Sequence, residues 1–168
     1  MENEALNAEV VESTTNESNA LALQGKMTDL SMDLFGGSRT KRITSLDLTD
    51  EANADMILNA SQEADYKLND EIGKEITVIG CSLTETPTET TNEETGEVIE
   101  RKKHSVTLFD VEGKSHVTGS NSCYLSFVQI IKVKGLPTKE KPLILIPIKV
   151  PAQQAGHEYL RLKVKVNK

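Results

Sequence analysis

The chain has 168 residues, 37% of them hydrophobic and 4% aromatic with no Trp; this suits one domain with a core plus a polar segment and excludes two ordinary domains side by side. Cys81 and Cys123, with 41 residues between them, exclude a disulfide framework and a metal-ligand spacing, and the absence of a basic leader or long apolar run near Met1 predicts a cytoplasmic protein without membrane contact. The net charge of −7 is divided, residues 1–97 holding 6 Lys/Arg against 21 Asp/Glu and residues 98–168 holding 13 against 5, so an acidic front section precedes a basic one of the kind that binds phosphate.

Residues 1–48 are rich in Asn, Ser, Thr and Glu and include Phe35-Gly36-Gly37-Ser38, which predicts an acidic flexible tail before an ordered domain over residues 49–168. From an N-cap at Thr49 or Asp50, the residues Ile57, Ala60, Ala64, Leu68 and Ile72 recur at three- and four-residue steps before Gly73, predicting an amphipathic helix. Residues 74–83 carry Ile76, Val78 and Ile79 around Gly80, a first strand with a bulge or sharp bend. The Thr/Glu run from Glu85 to Glu97, ending in Thr95-Gly96, reads as a long hairpin loop. Residues 98–111 alternate, with His104, Val106 and Leu108 on one side and Arg101, Lys103, Ser105, Thr107 and Phe109 on the other, which is a second strand.

A turn at Glu112-Gly113-Lys114 leads to a short third strand over residues 115–118. Gly119 breaks it, and cap candidates at residues 120–122 open a helix carrying Tyr124, Leu125, Phe127, Val128 and Ile131, stopped by Gly135 and Pro137. Residues 142–150 form an apolar fourth strand and residues 153–156 a turn. In the last strand Leu160, Leu162, Val164 and Val166 face a core, while Tyr159, Arg161, Lys163 and Lys165 face water.

This order predicts a mainly β protein: a five-stranded OB-fold barrel (β-β-β-α-β-β) preceded by an amphipathic helix and a disordered acidic N-terminal tail. Asn59-Ala60, Ala64-Asp65, Leu68, Asp70, Ile72-Gly73-Lys74-Glu75-Ile76, Glu94-Thr95-Gly96-Glu97, Asp110 with Gly113-Lys114, Gly135 with Pro137-Thr138, and Tyr159-Leu160-Arg161-Leu162-Lys163-Val164 together resemble the OB-fold single-stranded DNA-binding proteins of Gram-positive phages and conjugative plasmids. The resemblance covers residues 50–168. It implies sequence-tolerant binding of single strands during replication, recombination or transfer, and brings no sharp list of contact residues.

Single-strand binders combine cations that follow the backbone with flat groups on which bases stack. Here Arg101, Lys103, Arg161, Lys163 and Lys165 are the outward cations, Phe109, His116 and Tyr159 the flat groups, and Lys114 and Lys149 weaker additions. The plainer reading makes Phe109 and Tyr159 packing residues and His116 a strand-surface histidine. Glu85, Glu89, Glu93, Glu94 and Glu97 count against the loop as a phosphate contact. In the tail, Ser31-Met32-Asp33-Leu34-Phe35 resembles bacterial sliding-clamp-binding peptides without their leading Gln, making Asp33, Leu34 and Phe35 candidates for binding replication proteins; alternatively Leu30, Leu34 and Phe35 dock on their own barrel.

No enzyme, metal or cofactor is expected. Gly113-Lys114-Ser115 has Leu108 where a P-loop needs its first glycine, and His104, His116 and His157 lack metal-ligand spacing. A competing expectation is a phage or plasmid assembly component whose barrel and acidic tail bind protein partners. RNA is a third candidate ligand, since no residue here distinguishes a 2′-hydroxyl reader from a non-reader.

Overall fold

The computed structural model describes residues 27–30, 40–152 and 156–166. Among these, eight strands and two helices form a mainly β fold, one curled open sheet resembling half a barrel. In chain order they are β1 (Met27–Leu30), β2 (Thr40–Thr44), α1 (Glu51–Gln62), β3 (Tyr66–Lys67), β4 (Ile76–Thr91), β5 (Val98–Asp110), β6 (Ser115–Thr118), α2 (Asn121–Lys134), β7 (Leu143–Pro151) and β8 (Glu158–Val164), with a 3₁₀ turn at Leu68–Asp70 after β3. Five of these strands, β4 to β8, are those read from the sequence; β1, β2 and β3 are additional.

Strand β4 organises the sheet. β5 lies antiparallel along one of its edges. The other edge is divided, Ile76–Val78 pairing with Leu143–Leu145 of β7 and residues 82–85 pairing with residues 41–44 of β2. The division falls at Gly80, beside a slip in the β4–β5 register between Val78 and Gly80. A Cβ there would lie 2.8 Å from Leu46 Cδ2 and 3.6 Å from Phe109 Cβ, so the missing side chain gives Leu46 its seat and lets the strand bend. The bulge also resets the alternation, which is why Ile76 and Val78 before it and Cys81 and Leu83 after it are all buried.

Two apolar clusters cover the two faces of the sheet. The inner one joins Val78, Leu83, Val106, Leu108, Leu145, Leu160 and Leu162 to Phe127 and Ile131 of α2. The outer one packs Phe109 against Ile57 and Ala60 of α1, with Leu46, Leu48 and Met56 at its margin. Cys81 and Cys123 are buried; burial pushes the Cys123 thiol up to about 12, far from the thiolate that cysteine chemistry needs.

Helix α1 starts where expected, the Asp50 side chain accepting the Ala52 amide hydrogen at 3.0 Å. It ends at Gln62 and not at Ile72. Beyond it the Asp65 carboxylate accepts both the Ser115 amide and its hydroxyl at 2.9 Å, and Tyr66–Lys67 pairs in parallel with β6. Leu68 is buried from the 3₁₀ turn, whereas Ile72 is 38% exposed.

The loop expected from Glu85 to Glu97 is also corrected. β4 and β5 continue as a paired ribbon to Thr91 and Val98. The reversal is confined to residues 92–97, where Asn92 Oδ1 accepts the amides of Glu94 and Thr95 and Gly96 takes φ 68°. Within residues 1–48, expected as a flexible tail, Met27–Leu30 and Thr40–Thr44 are strands of the main sheet. Of the turn expected at residues 153–156, Gly156 is described, with φ 87°.

Helix α2 is capped by Ser120, whose Oγ accepts the Cys123 amide, and stopped by Gly135 at φ 84°. It lies along β8. The Ser122 hydroxyl donates to the Leu160 carbonyl at 3.0 Å, and Ser126 Oγ accepts the Leu162 amide hydrogen at 3.0 Å. Backbone groups on the edge of β8 are thus satisfied by helix side chains. Ser126→Ala is expected to cost about 1 kcal/mol by stranding the Leu162 N–H, read as a lower urea midpoint; an unchanged midpoint would show that water replaces the hydroxyl.

Candidate nucleic-acid interface

Beyond the bulge, the β4–β5 ribbon has two chemically different faces, because directly opposed residues share a side. Thr84 opposes Ser105, Thr86 opposes Lys103 and Thr88 opposes Arg101, giving a face of hydroxyls and cations. On the reverse, Glu85 opposes His104, Pro87 opposes Lys102 and Glu89 opposes Glu100. Glu85 and Glu89, which the sequence reading set against phosphate binding, therefore lie across the sheet from Arg101 and Lys103. Both of these cations are exposed, and neither takes part in the ion pairs of the described residues.

Glu85 is occupied on its own side. Its carboxylate meets Lys102 Nζ at 2.8 Å and His104 Nε2 at 3.3 Å, and the hydrogen bond from Lys102 holds it below the usual carboxylate range. The His104 ring rests on Tyr124, centroids 4.2 Å apart; burial, and then the Glu85 charge, push the Tyr124 phenol up.

A second cationic group forms where α2 meets β7 and β8. Arg161 and Lys163 of β8 join Lys134 of α2 around a groove of about 440 Å³, with Ile130, Val133 and Ile148 supplying apolar wall. Lys134 was not among the sequence candidates. Its position in the last helical turn has an ordinary explanation in the helix dipole, which masks any further part.

Other candidates are removed or weakened by the fold. Phe109 is 1% exposed beneath α1, so it cannot stack on a base. His116 is 3% exposed. Its Nδ1 meets Glu71 Oε2 at 2.6 Å, its Nε2 meets Asp110 Oδ2 at 3.0 Å, and Tyr66 stacks on its ring at 5.1 Å. Each ring nitrogen thus has a carboxylate partner, which makes this residue an internal clasp between the α1–β4 connection and the β5–β6 hairpin.

Lys165 is paired with Glu75 at 2.8 Å, Lys114 with Asp65 at 3.1 Å and Lys149 with Glu158 at 3.4 Å. The two Ser115 donors and then Lys114 bring the Asp65 carboxyl down to about 2. Tyr159 keeps its candidacy, 49% exposed at the start of β8. Asp33, Leu34 and Phe35 lie outside the described residues.

The sequence reading missed Arg42, which it placed in the tail. Arg42 sits mid-strand in β2 opposite Thr84. Burial lowers its pKa, although a guanidinium stays charged in proteins, and its Nε is buried without a hydrogen-bond partner. Among the described residues no cluster of His, Cys, Asp and Glu is arranged to hold a metal ion, and no helix is long and apolar enough to cross a membrane. No known protein family, curated protein or solved structure matches this chain.

Proposed function

We propose that this chain is a sequence-independent single-stranded DNA-binding protein with an OB-type half-barrel, acting in phage or plasmid DNA replication, recombination or transfer. The fold reading draws support from β4, a bent strand that pairs with both β5 and β7, and from a helix placed between β6 and β7. The functional reading is carried by one observation: Arg101 and Lys103 share a hydroxyl-lined face from which the ribbon's carboxylates are excluded. Arg161, Lys163 and Lys134 add a second cationic site, and Tyr159 an exposed ring. With flat groups so few, affinity comes from phosphate contacts more than from stacking.

Fluorescence anisotropy of labelled oligo-dT over a salt series tests this. Four engaged cations give a log-log slope of about −2.8, with binding lost steeply between low and moderate salt. Oligo-U of equal length is the RNA arm. Absence of binding to either in dilute buffer would overturn the reading and favour a protein-binding assembly component, for which the exposed Leu125 and Val133 on α2 are the apolar contacts.

A further inference from the structure

We infer that β2 extends the polynucleotide surface beyond the hairpin ribbon, and that Arg42 is a phosphate-contacting residue of the same track as Lys103 and Arg101. The inference rests on the single-strand reading above and adds a strand and a residue outside the region of family resemblance.

The pairing of three strands sets out the surface. Arg42 of β2 lies opposite Thr84 of β4, which lies opposite Ser105 of β5. Thr40 Oγ1 meets Thr86 Oγ1 at 3.2 Å, and Thr86 opposes Lys103. Thr88 opposes Arg101 one step further on. Side chains two apart along a strand share a face, so the three cations stand on one surface, stepped along the strands and joined by hydroxyls. Ile43, between Arg42 and Thr44, packs toward the inner core, which places Arg42 on the opposite side, with the threonines.

The Arg42 guanidinium keeps hydrogen-bonding capacity that no described residue uses. It enters none of the ion pairs of the described residues, and its buried Nε donor lacks an acceptor. Buried donors in native proteins are nearly always satisfied, and a half-buried guanidinium is satisfied best by an anion presenting several oxygens. A single carboxylate would account for Arg42 alone. Repetition of cations at Lys103 and Arg101, beside the Thr84 hydroxyl and the Thr40–Thr86 hydroxyl pair, calls for a ligand that is anionic at regular intervals and offers acceptors to hydroxyl donors, and a phosphodiester chain is such a ligand.

The test uses Arg42→Met and Arg42→Lys in the full chain, with labelled oligo-dT anisotropy and thermal melting. Arg42→Met is expected to weaken binding about fivefold and to flatten the salt slope by about 0.7, the share of one phosphate contact, while melting at or above the wild-type temperature because an unsatisfied buried donor has gone. Arg42→Lys is expected to retain the slope. Wild-type affinity and slope in Arg42→Met, with the wild-type protein binding oligo-dT, would overturn the inference and leave the functional reading standing; failure of the wild-type protein to bind removes both. Should Arg42→Met melt early, the Nε–H resonance of Arg42 in the wild-type protein decides, shifting on titration with oligo-dT if the inference holds and staying fixed if it does not.

Discussion

Replacing Arg101 and Lys103 together by Glu is expected to weaken oligo-dT binding at least tenfold and to flatten the log-log salt slope by about 1.4, since each phosphate contact on a single strand carries about 0.7. The two side chains are exposed and opposed only by threonines, so the change in folding stability should stay within about 0.5 kcal/mol. Arg161→Glu with Lys163→Glu makes the companion variant, and a similar loss is expected if the strand also crosses the groove beside α2. The two variants separate one long track from two independent patches. Loss in both places the polynucleotide across both arms of the forked sheet; loss in one confines it; wild-type binding in both removes phosphate contact as the basis of the function.

Removing His116 should have the largest effect on stability. Its ring lies between Glu71 and Asp110, and the side chains of His116, Glu71 and Asp110 are 4%, 8% and 15% exposed. His116→Ala leaves two largely buried carboxylates facing a void without the ring that bridged them, and stranding two such hydrogen-bond partners costs about 2–4 kcal/mol. Urea denaturation should report that loss as a lower midpoint at unchanged slope. A loss below about 1 kcal/mol would mean that the carboxylates turn to solvent and that the clasp is not structural. Oligo-dT affinity per folded molecule should be unaltered, because the ring is shielded by Tyr66 and does not reach the surface; reduced affinity at full folding would return His116 to the binding site.

That outcome bears on what the amino-acid order could reveal. β5 through β8 and α2 are legible because their apolar residues follow one period and end at Gly or Pro, as Gly135 ends α2. Phe109 was placed on its correct face by alternation, yet no local pattern states that α1 folds over that face. His116 takes its partners from residues 6 and 45 positions away, and Asp65 is drawn out of the helical path by a serine 50 positions on. Such contacts leave no trace in periodicity. Ala64, Leu68 and Ile72 keep helical spacing by coincidence.

The Thr/Glu run conceals a strand for a different reason. Beyond Glu85 both faces of the ribbon meet water, so the period-2 signal has no apolar member to carry it. β2, and with it Arg42, was hidden because Ile43 is its single apolar residue, too few to set a period. Arg161 and Lys163 were legible as outward cations because Leu160 and Leu162, which alternate with them, are buried; their meeting with Lys134 depends on how α2 docks.

That docking has a metric basis. Four residues of helix advance about 6.0 Å and two residues of strand about 6.6 Å, so hydroxyls spaced like Ser122 and Ser126 fall in step with alternate main-chain groups such as those of Leu160 and Leu162. A cylinder can therefore imitate a neighbouring strand over one repeat. The half-ångström mismatch grows with every further repeat, so the imitation is short, and this flank of the curl is stitched at two points where a ladder would have zipped it continuously.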